Sequence, residues 1–435
     1  NPGCLFPKKK SGQIKIKMIG TALNNPKRSA LLLFLLVAVC KSFVPYHSQN
    51  QLTPLRKLSK DGVRFSSKTT LVRMILDDND DDLLDLTGSS FSKKKTSNFE
   101  IAHDIGVGTL SWGDPNRGFS PSPGQPRPTM FNKGYLSRVY KTLVDGGITF
   151  FDTAEVYGYQ SMKEGQSSEQ LLGQFMEKNI AQEVMIGTKY MPIAWTNLLV
   201  GGGFRGGRRA MVSALEASLK RLGTTQVDLY QLHFPFPYVG GNKALFEGLA
   251  RCKDRGLCRH IGVSNHNKKQ VQNAFFELRN RGVPLVSNQI QLSLLDQTAI
   301  FDGTLDYCLE QGIKPIAHTP LGRGLATGKC TIYNPTGGVY QGPTEKKKYK
   351  LKTLMKYKEL HEALARVAGS AKLRLQQEVT TTQVSINWIR AKGAVPIPGV
   401  KTKKEADELL GCIGWSLEEN EIDELDEVSR KVAKR

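Results

Sequence analysis

Short runs of apolar and β-branched residues alternate with amphipathic stretches of helical period from Phe99 onward. Such runs predict buried strands, and the stretches between most of them predict helices that cover those strands. Because eight strands alternate with helices, we predict an α/β fold, a single-domain (β/α)8 TIM barrel over residues 99–435. The predicted strands are 101–107, 148–152, 184–189, 227–233, 259–263, 285–289, 314–318 and 394–398.

Glycines and long interruptions divide this pattern. Gly146, Gly223 and Gly256 each follow a helical stretch, as expected of residues that end helices. The predicted helices are 132–145, 208–221, 244–255, 267–280, 354–368, 381–391 and 403–411. A Gly/Pro-rich stretch at 113–129 and a glycine- and lysine-rich stretch at 322–350 interrupt the alternation. Both follow strands, so we expect them to lie over the barrel mouth and to select the substrate.

Residues 1–98 do not continue the barrel pattern. An apolar run at 30–40, preceded by two basic residues, is typical of a signal peptide and is too short for a stable membrane anchor. Met18 lies at a normal distance from this run, which makes 18–42 signal-peptide-like. Residues 1–17 are then interpreted as translated upstream sequence.

A second targeting segment follows the first. Residues 43–75 are rich in Ser, Thr, Lys and Arg, a composition typical of transit peptides. The tandem order resembles the bipartite presequences of algae with secondary plastids, so we expect import into a plastid (chloroplast); simple secretion is the alternative. An acidic patch at 77–85 and a Ser/Lys-rich segment up to Asn98 predict a linker. The mature protein is therefore expected to have no stable membrane span.

The net charge of +21 raises the possibility of nucleic-acid binding. About half of the excess lies within residues 1–98. Much of the rest belongs to a lysine run without interleaved aromatic residues, which predicts a solvated loop, with a partner or phosphate site as the alternative. The run comprises Lys346, Lys347, Lys348, Lys350 and Lys352. We expect no nucleic-acid partner.

The cysteines do not form a recognisable framework. They are odd in number and contain no Cys-x-x-Cys pair or regular spacing, which favours neither a disulfide scaffold nor a zinc site. They are Cys4, Cys40, Cys252, Cys258, Cys308, Cys330 and Cys412. We therefore expect no metal.

Three polar residues fall at the C-terminal ends of predicted strands, where barrel enzymes gather their active sites. Asp152 ends the second strand, Lys189 the third and His233 the fourth, and Tyr157 lies in the loop after Asp152. Each of them alone is more typical of a surface or packing residue. Together they indicate one reaction, the reduction of a carbonyl group.

That reaction needs hydride at the carbon and a proton at the oxygen, which becomes negative in the transition state. The ordinary pKa of tyrosine, about 10, is too high for easy proton transfer near neutral pH. A Lys189 ammonium beside Tyr157 would lower the pKa of the phenol, and Asp152 would keep the lysine charged and in place. A ring nitrogen of His233 would orient the carbonyl and stabilise the oxyanion.

The chain resembles the aldo-keto reductase family over roughly residues 99–430. Asp-Thr-Ala-Glu-Val-Tyr-Gly at 152–158 is similar to the family's Asp-Thr-Ala-x-x-Tyr-Gly motif. Gly-Thr-Lys at 187–189 and Leu-Tyr-Gln-Leu-His at 229–233 are similar to its lysine and histidine strands. The resemblance, closest in style to plant and cyanobacterial plastid-type members, implies an Asp-Tyr-Lys-His tetrad with Tyr157 as general acid.

The same resemblance implies an NADP(H) site. Ser264 and Asn265, in Gly-Val-Ser-Asn, and Gln289, in Ser-Asn-Gln, would hold the nicotinamide carboxamide. Trp112, which follows a Gly-Thr pair, would line the substrate pocket. The other implied cofactor-binding residues are Gly108, Thr109, His318, Thr319, Leu321, Arg323, Gly399, Lys401 and Thr402. No Gly-x-Gly-x-x-Gly follows a strand, so we expect no Rossmann-type site.

Three positions depart from the family's pattern. His318 stands where a tyrosine usually stacks under the nicotinamide, and an imidazole offers less stacking area. Glu405 stands where many members have Arg or Gln near the adenosine 2′-phosphate, and Leu409 where Asn is common. Lysines 401, 403 and 404 would still neutralise that phosphate. We therefore favour NADP(H) over NAD(H).

The expected function is hydride transfer between NADP(H) and a small-molecule carbonyl, an aldehyde or ketone, or the corresponding alcohol. The alternative is an NADPH-binding accessory or sensor subunit with little turnover. The sequence does not identify the substrate, because barrel loops vary while the barrel itself stays constant. We expect a monomer.

Overall fold

The sheet consists of eight parallel strands that follow one another in chain order. The computed structural model describes residues 99–120, 131–179, 183–193, 205–334 and 350–433. The strands are β1 (Gly106–Gly108), β2 (Phe150–Asp152), β3 (Met185–Tyr190), β4 (Val227–Leu232), β5 (Cys258–Ser264), β6 (Leu285–Gln291), β7 (Lys314–His318) and β8 (Val395–Pro396). This order confirms the predicted (β/α)8 barrel.

The barrel closes where the first strand meets the segment after the last. The Gly108 amide donates to the carbonyl of Pro398 over 3.0 Å, and Gly108 forms a parallel bridge with Gly399. A Cβ atom on Gly108 would lie 2.9 Å from the carbonyl oxygen of Ile397, closer than side chains ordinarily approach. Glycine at position 108 therefore permits the close backbone contact at this seam.

Helices cover the outside of the sheet. The described helices of four residues or more are α1 (Lys133–Asp145), α2 (Ser168–Lys178), α3 (Gly207–Leu222), α4 (Gly241–Asp254), α5 (Lys268–Arg279), α6 (Thr298–Phe301), α7 (Thr304–Glu310), α8 (Leu351–Lys356), α9 (Lys358–Leu375), α10 (Thr381–Ala391), α11 (Lys403–Leu410) and α12 (Glu419–Val432). All predicted helices are present with ends shifted by a few residues, and 354–368 is divided between α8 and α9 at Tyr357. In the part of the chain that the structure describes, no helix is both long and apolar enough to cross a bilayer.

The glycines predicted to end helices do so in different ways. Gly223 caps α3 in the left-handed region, at φ 68°. Gly256, at φ 70°, follows the C-cap residue of α4. Gly146 caps α1 with an ordinary φ of −86°, so its position does not need glycine for backbone freedom.

The predicted first strand, 101–107, is largely wrong. Only its last residues belong to β1, and Ala102–Asp104 forms a 3-10 turn with His103 at φ 57°. The apolar residues that suggested a longer strand, Phe99 and Ile101, are both 4% exposed and pack inside the barrel. They fill its N-terminal end instead of extending the sheet, so burial and not pairing explains their pattern.

The barrel interior changes from apolar to polar along the strands. At the N-terminal side a cluster of apolar side chains fills the inside, and burying each contributes about 1.5–3 kcal/mol. The cluster comprises Phe99, Ile101, Phe150, Leu229, Val286, Ile316, Val395 and Ile397. Because side chains alternate along a strand, Phe150 and Asp152 point inward while Phe151 packs outward against the helices. Polar side chains therefore collect at the C-terminal end of the barrel.

Several predictions concern residues outside the described ranges. These are the leader 1–98 with Cys4 and Cys40, most of the lysine run, and parts of the two long loops. The described remainder of the first loop contains a 3-10 turn, Pro115–Arg117, and that of the second begins with another, Gly322–Thr327. Among the described residues, Cys252, Cys258, Cys308, Cys330 and Cys412 are buried and not disulfide-bonded.

Candidate active site

The predicted tetrad comes together at the C-terminal rim of three neighbouring strands. Asp152 is the last residue of β2, Lys189 is next to last in β3, and His233 directly follows β4. Tyr157 lies in the loop after β2, and its ring meets that of His233 edge to face at 5.8 Å. Because the strands are parallel, all four side chains reach one end of the barrel.

Lys189 is fully buried and forms hydrogen bonds with two other members of the tetrad, Asp152 and Tyr157. Its Nζ atom donates to Asp152 Oδ2 at 2.5 Å, to the Thr153 carbonyl at 2.9 Å and to the Tyr157 hydroxyl at 3.4 Å. An ammonium group has three protons to donate, and these three contacts use all of them. A carboxylate, an ammonium and a phenol thus form one connected chain.

Burial and the neighbouring charges act in opposite directions on Lys189 and on Tyr157. Burial by itself would lower the pKa of Lys189, but the Asp152 carboxylate and Tyr157 raise it above its ordinary value. Burial raises the pKa of Tyr157, and the Lys189 ammonium only partly opposes this. The prediction that the pKa of Tyr157 falls is therefore wrong, because desolvation of the phenolate outweighs the neighbouring charge. Tyr157 is protonated at neutral pH.

His233 is neutral at the same pH. Burial, followed by repulsion from Lys189 and His318, holds its pKa well below the ordinary value. Its Nδ1 atom has no hydrogen-bond partner among the residues that the structure describes. A neutral imidazole has one N–H donor and one acceptor nitrogen, so His233 can donate to a carbonyl oxygen.

A buried ion pair that was not predicted from the sequence supports the Tyr157 loop. Glu155, two residues before Tyr157, accepts from the Met191 amide at 2.7 Å and from Arg205 Nη1 at 2.8 Å. Arg205 is 5% exposed and Glu155 is 2% exposed. A buried Arg–carboxylate pair with an additional backbone donor holds its loop firmly. Glu155 lies within the motif at 152–158, but its partner comes from a distant loop.

The residues predicted at the nicotinamide carboxamide lie beside His233. The Asn265 amide donates to the His233 carbonyl at 2.9 Å and to Ser264 Oγ at 3.1 Å. His318 Nε2 lies 3.0 Å from Asn265 Oδ1, and Thr319 Oγ1 lies 3.1 Å from the other ring nitrogen. Burial and nearby cations lower the pKa of His318 to about 4, so its ring is neutral at physiological pH.

Gln289 lies next to Ser264 and Asn265, since its carbonyl accepts from the Asn265 amide at 2.7 Å. Its side-chain amide donates to Asp152 Oδ1 at 2.7 Å, and the residue is only 3% exposed. The side chain thus points into the barrel toward the catalytic carboxylate. This contact with Asp152 was not predicted from the sequence, and the cofactor-binding role of Gln289 stays a prediction.

Two residues predicted at the first strand are part of the core. Trp112 is fully buried, packs against Phe151 and Phe175, and donates its indole N–H to the Val400 carbonyl. It therefore has no exposed surface with which to line a substrate pocket, contrary to the prediction. Thr109 is also fully buried, and its hydroxyl donates to the Asp152 carbonyl at 2.9 Å.

The other predicted cofactor residues remain accessible at the rim. Those after β7 and β8, two neighbouring strands, keep partly or fully exposed surface; they are Leu321, Arg323, Gly399, Lys401 and Thr402. Thr402 is the N-cap of α11, and Glu405 completes its capping box. Leu409, also on α11, is 4% exposed and packs in the core. It therefore has no surface with which to contact an adenosine.

Aromatic side chains form one wall of the site. The Phe234 ring stacks on His233 at 4.7 Å and 18°, and Phe236 stacks on Phe234 at 5.1 Å and 20°. Both phenylalanines pack with Tyr157 around a small apolar cluster that includes Met191. Among the described residues, no group of three or more His, Cys, Asp or Glu side chains could hold a metal ion.

Comparison with known proteins agrees with this geometry. The model of the aldo/keto reductase family matches residues 104–430. The chain is 32% identical over 307 residues to a chloroplastic pyridoxal reductase of Arabidopsis thaliana, covering 69% of this chain and 78% of that protein. It is 28% identical over 295 residues to a probable aldo-keto reductase of Glycine max, covering 66% and 77%.

Solved structures share the fold. A glycerol dehydrogenase from Gluconobacter oxydans matches with a TM-score of 0.61 and 21% identity, covering 78% of this chain and 95% of that one. An aldo-keto reductase from Klebsiella pneumoniae in complex with NADPH matches with a TM-score of 0.54 and 20% identity, covering 76% and 92%. With the barrel, the motifs and the family match in agreement, the chain belongs to the aldo/keto reductase family of oxidoreductases.

Proposed function

We propose that the chain is an NADP(H)-dependent reductase of an aldehyde or ketone, or a dehydrogenase of the corresponding alcohol, with Tyr157 as general acid. The observation that supports this most directly is the buried contact of Lys189 Nζ with both Asp152 and Tyr157. Stability alone does not explain a buried charged lysine, because replacing a buried ion pair by apolar residues is often neutral or stabilising. Its place beside a phenol suits proton transfer.

The proton would move from Tyr157 to the carbonyl oxygen. The raised pKa of Tyr157 keeps the phenol protonated before reaction, and the Lys189 ammonium stabilises the phenolate that remains afterwards. His233 would donate a second hydrogen bond to the same oxygen as negative charge develops there. Arg205 and Glu155 would hold the loop so that the phenol keeps its place.

The residues at the rim suit a nicotinamide cofactor, which supplies the hydride when bound. A carboxamide needs one acceptor and one donor, and Ser264, Asn265 and Thr319 provide hydroxyl and amide groups beside His233. Arg323 and Lys401 lie on neighbouring loops, where cations would neutralise phosphate. Gly399, with exposed backbone, and Leu321 would border the same groove. Gln289 would act through Asp152 or exchange its bond when the cofactor binds.

Selection between NADP(H) and NAD(H) would depend on the start of α11. Lys401, Lys403 and Lys404 favour a phosphate there. The Glu405 carboxylate opposes it, because its Oε2 atom already accepts from the Lys401 amide at 2.7 Å and the Thr402 amide at 3.1 Å. A helix N-terminus that is capped by its own acid attracts a second anion less strongly.

We therefore predict that Glu405→Gln strengthens NADPH binding by about threefold to tenfold, since it removes one negative charge at a partly exposed site. Glutamine in the third helical position still completes a capping box, so α11 should stay intact. Fluorescence titration with NADPH and with NADH gives the two dissociation constants. NADH is the internal control, because it lacks the 2′-phosphate. Equal changes for both cofactors would contradict the prediction.

The substrate proposed first is an aromatic aldehyde. Phe234 and Phe236 offer ring faces next to His233, and planar rings stack favourably on such faces. The Arabidopsis relative is named a pyridoxal reductase, which makes pyridoxal a suitable first compound. The same relative is chloroplastic, in agreement with a proposed plastid leader in residues 1–98. The proposed catalytic domain then comprises residues 99–435. We propose that it acts as a monomer.

The proposal is tested by NADPH oxidation with the purified full chain and a panel of aromatic, aliphatic and sugar aldehydes. We expect turnover with several aldehydes and the highest kcat/KM among the aromatic ones. Tight NADPH binding without turnover of any carbonyl would instead support an accessory or sensor subunit. Absence of nicotinamide binding would overturn the proposal entirely.

A further inference from the structure

Gln231 is a long polar side chain in the barrel interior that the reaction described above does not use. It lies on β4, two residues before His233, and is fully buried. Burying a carboxamide costs free energy unless its groups find hydrogen-bond partners. Its partner is the catalytic carboxylate, because Gln231 Nε2 donates to Asp152 Oδ1 over 3.2 Å.

A second carboxamide reaches the same oxygen. Gln289 Nε2 donates to Asp152 Oδ1 at 2.7 Å and lies 3.5 Å from Gln231 Oε1. The three side chains come from β2, β4 and β6, which are the alternate strands that contribute one layer of a barrel interior. This layer follows the apolar cluster inside the barrel, and its three side chains are almost completely buried.

Gly262 leaves room for Gln231. A Cβ atom on Gly262 would lie 3.1 Å from Gln231 Cγ, and one on Gly187 would lie 3.5 Å from Gln231 Nε2. Gly187 and Gly262 lie on β3 and β5, the two strands that flank β4. A side chain at position 262 would crowd Gln231, whereas a Cβ atom at position 187 would make only ordinary contact with it.

We propose that Gln231 is a positioning residue of the reaction: with Gln289 it holds Asp152 Oδ1, so that Oδ2 alone faces Lys189. This inference rests on the proposed function, because it gives the carboxamide a role in the Asp152–Lys189–Tyr157 chain. Without the two amides the carboxylate is free to turn about its own bond and to share both oxygens with the ammonium. Lys189 would then be drawn away from the Tyr157 hydroxyl.

Charge gives Gln231 a second effect on Tyr157. Each amide donor offsets part of the Asp152 charge, and that charge raises the pKa of Tyr157. The other groups that face Tyr157 are Lys189 and Arg117, which lower its pKa, and the ring of His233, which is neutral. Removing one donor should therefore raise the pKa of Tyr157 further and slow proton transfer.

The variant that tests this is Gln231→Met, which keeps the length of the side chain and removes the donor. We expect kcat to fall by roughly tenfold with little change in the KM for NADPH, because Gln231 is fully buried and presents no surface to a cofactor. The titration of Tyr157 is the difference in tyrosinate absorbance between a protein and the same protein carrying Tyr157→Phe. Measured in this way, the pKa of Tyr157 should be higher in Gln231→Met than in the unchanged chain. That titration needs no turnover, so it distinguishes failure of this inference from failure of the proposed function.

Gln231→Glu provides the second test. While protonated, the new carboxyl donates to Asp152 and should restore kcat; once ionised, it repels Asp152. The kcat of Gln231→Glu should therefore fall as the pH rises through the pKa of the new carboxyl, a limb absent from the unchanged chain. If Gln231 had a merely structural role, the substitution would not produce this fall of kcat with rising pH. If Gln231→Met does not fold, Gln231→Glu still tests the inference.

Ser287→Ala is the matched control. Ser287 is fully buried in the same interior, near Gly262, and its hydroxyl has no hydrogen-bond partner among the described residues. Its removal should leave kcat and the Tyr157 titration unchanged. The inference is overturned if Gln231→Met leaves both the Tyr157 titration and kcat unchanged, or if Ser287→Ala changes them equally.

Discussion

Replacing Tyr157 with phenylalanine is expected to lower kcat for aldehyde reduction by a factor on the order of 10³, while NADPH binds almost as before. The substitution removes the only phenol that Lys189 Nζ contacts in the described part of the chain. Without it, the developing oxyanion has no positioned acid, although His233 still donates a hydrogen bond. Stopped-flow measurement of NADPH oxidation, with fluorescence titration of NADPH binding, separates the two effects.

Tyr159→Phe is the natural comparison for this prediction. Tyr159 lies two residues further along the same loop and packs in the same apolar cluster, but it does not bond to Lys189. We expect it to retain most of the activity. Full turnover in Tyr157→Phe, or equal losses in both variants, would show that the proton comes from another group.

Replacing Lys189 with methionine should abolish turnover and also lower the free energy of unfolding by about 3–5 kcal/mol. The reason is the partner that remains, because Asp152 is 2% exposed and would keep a negative charge without a cation. Urea denaturation followed by circular dichroism measures the loss. The additional substitution Asp152→Asn removes the stranded charge, so the double variant should recover much of the stability and none of the activity.

An exposed lysine–aspartate pair gives the control for this measurement. Lys141 Nζ lies 2.7 Å from Asp145 Oδ2, with side chains 64% and 45% exposed. Lys141→Met should cost no more than about 1 kcal/mol, since water solvates and screens such pairs. The argument from burial fails if Lys141→Met and Lys189→Met lose the same stability, or if the double variant is no more stable than Lys189→Met.

The contribution of Lys189 to the free energy of unfolding also depends on pH. The pKa of Lys189 is raised in the folded chain, so its stabilising effect is fully present below the ordinary lysine pKa of about 10.4. It is lost as the pH rises through the higher folded value, where both states release the proton. Above neutral pH, the stability curves of the unchanged chain and Lys189→Met should therefore approach one another only in strongly alkaline solution.

Some strand bounds and the position of the tetrad could be predicted from local sequence. β7 has the predicted bounds, and β4 ends one residue before the predicted end, because an apolar run meets polar residues or a turn there. Asp152, Lys189 and His233 could be placed at one rim because parallel strands point the same way. The first strand could not be placed, since Phe99 and Ile101 have the alternation of a strand and in fact fill the end of the barrel.

The sequence by itself determined the barrel, the family motifs and which residue types meet at the mouth, because these depend on periodicity and short spacing. Tertiary structure decided the contacts of Gln231, Gln289 and Arg205, whose partners lie 79, 137 and 50 residues away. It also placed Trp112 in the core and raised the pKa of Tyr157. Hydrogen-bond partners and desolvation depend on what surrounds a side chain in space, and neighbours along the chain do not reveal that.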